Sequence, residues 1–197
     1  MISYRDANDI ITYRENSKLH YVDELGMYVP FLMEYYSISK DSLALTIVNK
    51  NIIAYKEYGI DDATHIPYHG YEKNKKIKLG SANWGRGIGW YLLALAYCPQ
   101  ERDSILFSNI EKLPYTQFPL SSKNFDSSTA LMFEIYKQSK CPRRKLDLSF
   151  IKKYIRKNGL VDSFSGDTYD LNDYSHRSGG SELGNGFLCI LASKFAN

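Results

Sequence analysis

Apolar residues recur along most of the chain at helical spacings, and few segments read as strands. Residues 25–36, LGMYVPFLMEYY, are apolar nearly all round, which predicts a helix buried on more than one side with Pro30 tolerated near its first turn. Asp23 stands just before it. From 42 to 58, Leu45, Val48, Ile52 and Tyr55 share a stripe that Leu43, Ile47 and Ile53 widen, and Gly59 marks its stop. The two segments predict a helical hairpin. Residues 60–83 are polar and broken by Pro67, Gly70 and Gly80, so they read as a long excursion with a short strand around 66–71. Helical character returns over 89–97, where Pro99 closes it, and 104–113 reads as its amphipathic partner. Asp126 and Ser127 cap a helix that runs to Lys140. A further helix is expected over 148–157, ended by Gly159, and a last one over 183–195 after the glycine-rich stretch Ser178 to Ser181. The pattern is that of an all-α array of helical hairpins.

At 197 residues the chain has the length of a single domain, 1–197. With 44% hydrophobic and 24% charged residues, neither disorder nor a fibrous repeat is indicated. A formal charge of +3 gives no reason to expect a nucleic-acid partner. Lys73, Lys75, Lys76 and Lys78 read as a solvated loop, and Arg143, Arg144 and Lys145 as a helix-to-helix connection. Seventeen tyrosines suit both packing between helices and a surface that holds sugars. Cys98, Cys141 and Cys189 are widely spaced and odd in number, which argues for reduced thiols over a disulfide framework or a zinc site. The N-terminal residues carry charges throughout and no stretch is apolar enough to span a membrane, so a cytoplasmic protein without a membrane span is expected.

The sharpest local cluster is Trp84-Gly-Arg86-Gly-Ile-Gly-Trp90, directly before an apolar helix. Arg86 and Trp90 share a helical face, and Trp84 precedes the first turn and can fold over the same side. The intervening glycines would let backbone approach a ligand, and helix N-terminal amides favour an anion such as a carboxylate. An indole stacks on the apolar face of a pyranose while a guanidinium forks onto its carboxylate, although core packing would use two tryptophans equally well. A second cluster surrounds Asp23, whose carboxyl, beside Tyr21, Met27 and the apolar run 29–32, would be partly withdrawn from water as suits a general acid. An N-cap role without chemistry competes with that reading. Glu24 points about 100° away on a helix and reads as structural. His69, between Tyr68 and Gly70 in the long excursion, fits a sugar-contacting loop or a plain surface position. It has no partner at metal-ligand spacing, and no G-x-S-x-G elbow supports a serine nucleophile.

Together these clusters resemble the unsaturated uronyl hydrolases of glycoside hydrolase families 88 and 105, especially the rhamnogalacturonyl type. The strings YVDELGMYVPFL, YHGY, WGRGIGWYLLAL, DSSTALMFEIY and GNGFLCILA follow the family order from Tyr21 to Ala192, with the W-x-R-x-x-x-W pattern complete. The resemblance implies an (α/α)6 toroid with its active site at the helix N-terminal loops on one face. It implies that Asp23 protonates the C4=C5 double bond of a terminal unsaturated uronic acid on an oligosaccharide and activates water for attack at C5. The hemiketal then opens and the glycosidic bond breaks, unlike the two-carboxylate displacement of most glycosidases. Tyr21, Met27, His69, Trp84, Arg86 and Trp90 would be the substrate-binding set, with no metal or organic cofactor.

Family members carry further helices upstream of the catalytic aspartate, with a second active-site Asp and a nearer His. Here Asp23 has only 22 residues before it, and Thr12, Tyr13 and Arg14 stand where the nearer His is expected. The expectation is therefore a toroid shortened at its N-terminus, the middle and C-terminal part of the ring: a fragment, a truncated gene product, or a chain that completes itself by association. Two alternatives follow: a catalytically silent carbohydrate-binding remnant, or another toroid enzyme of the epimerase kind. The latter needs paired catalytic histidines, and only His20, His65, His69 and His176 are available.

Overall fold

A computed structural model describes residues 4–6, 8–98, 103–121 and 123–195. Among these, the main elements are the helices α1 (Val22–Ser39), α2 (Ser42–Tyr58), α3 (Gly85–Ala96), α4 (Ser104–Ile110), α5 (Ser127–Lys140), α6 (Ser149–Lys152) and α7 (Glu182–Phe195). α1 packs on α2 and α3, α3 on α5, and α5 on α7, so α1, α3, α5 and α7 form one continuous row. The middle of the row is the core. Every residue of α3 from Gly85 to Leu95 is buried, as is every residue of α5 from Ser127 to Gln138. Tyrosine serves this interior: Tyr55, Tyr71, Tyr91 and Tyr136 are among the largest fully buried side chains.

The expected all-α architecture is joined by three small antiparallel sheets. β1 (Tyr4–Arg5) pairs with β2 (Ile11–Thr12), and β6 (Val161–Ser165) with β7 (Ser178–Ser181). The third sheet has the order β3 (Leu19–Tyr21), β4 (Gly70–Glu72), β5 (Ile77–Leu79). β4 is the strand expected at 66–71, displaced because Pro67 forms only an isolated bridge with Ile60.

The hairpin of α1 and α2 forms, with α2 running from its Asp41 cap to Gly59 as the spacing predicts. α1 differs in three respects. It begins at Val22, because the Val22 amide donates to the His69 carbonyl at 2.9 Å and strand pairing does what a side-chain cap would otherwise do. Asp23 is therefore in the first turn, not at the N-cap, and Pro30 lies in mid-helix, where it removes one hydrogen bond of the ladder. Burial is also one-sided: Val22, Leu25 and Val29 are covered, whereas Phe31, Tyr35 and Ile38 are exposed. α3 starts at Gly85, ahead of the expected Gly89, and Pro99 lies outside the described residues.

α6 is a single turn where a helix over 148–157 was expected, since the chain turns to bridge Ile155 with Val161 around Gly159 at φ 85°. Arg144, expected in a solvated connection, sits 2.6 Å from the buried Glu134 carboxylate and balances its charge. Cys98, Cys141 and Cys189 are unbridged. Among the described residues, no helix is long and apolar enough to cross a membrane.

Candidate active site

Sheet register brings Asp23 to His69. The pairing of Tyr21 with Gly70 sets Val22 against His69, and Asp23 follows in the first turn of α1. Its Oδ2 lies 3.4 Å from His69 Nε2, with the imidazole 3% and the carboxylate 13% exposed. The other ring nitrogen, Nδ1, is 3.1 Å from the Leu171 carbonyl oxygen. A carbonyl only accepts, so Nδ1 carries a proton. Nε2 therefore faces Asp23 either as a lone pair or as an N–H, and a hydrogen bond between them needs a proton on one of the two.

The first turn of α3 presents Arg86. The residue is 7% exposed and its guanidinium is held from behind, with Nη1 donating to the Ser165 carbonyl of β6 and the cation 5.7 Å from the Phe164 ring. Nη2 is 3.8 Å from Asp167, a carboxylate 98% exposed, and Nε is buried without a hydrogen-bond partner. Ser165 is itself fixed: Asp126, the N-cap of α5, accepts from the amide of Ser128 at 2.9 Å and from that of Ser165 at 3.3 Å. A chain of contacts from the α5 cap through β6 thus aims Arg86.

The glycines around Arg86 have a different task from the one expected of them. A Cβ at Gly87 would come within 2.3 Å of the Trp84 ring, and one at Gly89 within 2.6 Å of Met132. They admit neighbouring side chains of the core, not a ligand.

Asp23 lies on the wall between two adjoining cavities. The larger, about 680 Å³, also has Met27, Arg86, Trp90, Asp167 and Arg177 on its walls; the smaller, about 440 Å³, has Arg14, Tyr21, His69 and Tyr169. Tyr13 and Thr168 border both. Trp84 borders neither. It is 4% exposed and packs 4.3 Å from the His69 ring and 5.3 Å from Tyr174, so it supports the imidazole from the side away from the cavities.

The structure thus gathers Asp23, Tyr21, Met27, His69, Arg86 and Trp90 at one end of the helix row. Sequence reasoning missed Tyr13, Arg177 and the segment 165–168. Glu24, which the sequence marks as structural, turns inward, and its buried carboxyl is pushed up to about 9, first by desolvation, with backbone donors from Tyr21 and Tyr13 opposing the shift.

Among the described residues no cluster of three or more His, Cys, Asp or Glu is arranged to hold a metal ion. A carboxylate paired with an imidazole and a fixed guanidinium are what the cleft can offer chemically.

Comparison with solved structures gives the same fold. A possible member of glycoside hydrolase family 105 from Klebsiella pneumoniae subsp. pneumoniae MGH 78578 superposes with a TM-score of 0.72 at 14% identity, over 94% of this chain and 60% of that one. A family 105 glycoside hydrolase from C. acetobutylicum ATCC 824 gives 0.67 at 18% identity, over 98% and 69%. A UGL variant complexed with dGlcA-Glc-Rha-Glc gives 0.67 at 14%, over 98% and 65%. The chain thus spans about 60% of the length of the family 105 structure from Klebsiella. No curated protein matches the sequence. Residues 7–112, more than half of the chain, match the model of Glycosyl Hydrolase Family 88. The chain belongs to glycosyl hydrolase family 88.

Proposed function

We propose that this protein removes a terminal 4,5-unsaturated uronic acid from an oligosaccharide by hydrating its C4=C5 double bond. Asp23 gives its proton to C4 and, once ionised, takes one from a water that attacks C5. The resulting C5 hemiketal opens to a ketone, the ring is lost, and the hemiacetal left at C1 releases the remaining sugar. His69 Nε2 holds or returns the proton at Asp23 Oδ2, and Arg86 draws the uronate carboxylate. Trp90, Met27 and Tyr21 shape the surrounding walls. The observation that carries this reading is the Asp23 to His69 contact of 3.4 Å on the wall shared by both cavities. Family membership supports the glycosidase class, and the complex of a neighbour with dGlcA-Glc-Rha-Glc supports an oligosaccharide as substrate.

A second reading, sugar binding without turnover, is favoured by the surroundings of Asp23. The other acids on the cavity walls, Asp167, Asp170 and Glu182, are exposed, so among the described residues no second carboxylate of those walls is held in place beside it. We further propose that the chain is one domain forming an incomplete ring that self-association completes. The exposed apolar side of α1 supports that.

The test is the loss of the near-ultraviolet absorbance of the conjugated uronate when the protein meets unsaturated disaccharides from pectin-lyase and glycosaminoglycan-lyase digests. Decay by the native chain, abolished in Asp23→Asn, is the expected result. Full turnover by Asp23→Asn would sink the mechanism, and binding without decay by the native chain would select the second reading.

A further inference from the structure

Residues 166–177 connect β6 to β7, and they carry an attachment that the reaction above leaves unused. The Leu171 carbonyl accepts two hydrogen bonds, one from His69 Nδ1 at 3.1 Å and one from the Tyr174 hydroxyl at 2.7 Å. The Tyr174 oxygen in turn accepts from the Ser81 amide at 3.2 Å. Its ring is 6% exposed, stacked on Phe118 at 4.1 Å and packed 5.5 Å from His69. Gly80, at φ 72°, leaves the space these groups need: a Cβ there would lie 2.7 Å from the Leu171 oxygen and 2.6 Å from His69 Cβ. The loop is therefore clasped at one carbonyl, and that carbonyl is the partner of the imidazole that faces Asp23.

A neutral imidazole has one N–H, and the partner of one nitrogen decides what the other presents. With Leu171 in place the proton belongs on Nδ1, which leaves Nε2 free to exchange a proton with Asp23. Without it, the ring can carry its proton on Nε2, point that N–H at Asp23 permanently, and lose the capacity to take a proton from it. We propose that Tyr174 is a positioning residue which, through the Leu171 carbonyl, fixes the tautomer of His69. As an account of rate this rests on the hydrolase reading, but the tautomer is a property of the protein alone.

Tyr174→Phe keeps the ring and its stacking and removes only the hydroxyl. Long-range proton–nitrogen NMR spectra of the full chain report the tautomer, with His69→Gln to assign the signal. Native protein is expected to show Nδ1–H at His69, and Tyr174→Phe a mixture with Nε2–H. Gly80→Ala, which crowds the same carbonyl, should shift the spectrum in the same direction. In turnover, Tyr174→Phe is expected to lower kcat about tenfold with KM little changed and a displaced pH profile. An unchanged His69 tautomer in Tyr174→Phe, or Nε2–H in the native chain, overturns the proposal whatever the activity. A shifted tautomer in a chain that never turns over the unsaturated sugar upholds the clasp and removes the hydrolase reading.

Discussion

Glu24 and Asp23 adjoin in sequence and have opposite surroundings. Asp23 meets an imidazole at the cleft, whereas Glu24 turns inward, is 6% exposed, and leaves Oε1 without a hydrogen-bond partner. With its carboxyl raised from the ordinary 4.5 to about 9, the folded chain holds a proton that the unfolded chain has released over that interval. Its contribution to stability is full below 4.5, falls as the pH rises, and levels off above about 9. Glu24→Gln should remove that slope, gaining on the order of a few kcal/mol over the native chain at alkaline pH. Urea unfolding across pH measures it, and an unaltered slope in the variant would count against a buried neutral acid.

At this scale the legible part of the site was the part marked by residue type and short spacing, as in Arg86 with Trp90. What was hidden depends on contacts between distant segments. Trp84 meets His69 across fifteen positions, and Tyr13 shares the cavity walls with the far-off Thr168, contacts that leave no local pattern.

Between elements, α1 packs closely against α3. A Cβ at Gly26 would lie 2.4 Å from Trp90 Cε3 and 2.9 Å from Trp90 Cα, and the latter is backbone that cannot swing aside. Helix propensity alone favours alanine over glycine by about 1 kcal/mol. Overpacking of this kind costs about 1–3 kcal/mol, so packing decides the sign and Gly26→Ala should lower the melting temperature. Gly186 in α7 is the control: nothing lies within 4 Å of a Cβ there, so Gly186→Ala should stabilise by about 0.5–1 kcal/mol. Thermal unfolding of the two variants tests both signs.

The same balance explains which elements could be read in advance. α2 was legible from its apolar spacing and the stop at Gly59, and α5 from its Asp126 cap. The starts of α1 and α3 were not, since β3 pairing sets the first and three packed glycines open the second. The sheets, whose strands run from two to five residues, offer too few positions for a period to show.

For the whole molecule the surface that matters is the apolar outer side of the α1–α2 hairpin. Phe31 is 50%, Tyr35 45%, Ile38 84% and Leu43 56% exposed, and a groove of about 480 Å³ runs between Tyr35, Leu32, Ala44 and Ile47. Large apolar side chains left in water forgo about 1.5–3 kcal/mol each, so a face with several of them gains from being covered. In the self-association proposed above, a second copy supplies that cover. Sedimentation should then show concentration-dependent dimers of the native chain, and Phe31→Glu with Ile38→Glu should return them to monomers while the far-ultraviolet circular dichroism stays unchanged. A native chain that remains monomeric at high concentration removes the proposal. Dimers indifferent to both substitutions would place the contact on another face, and the α1–α2 groove would then play no part in completing the ring.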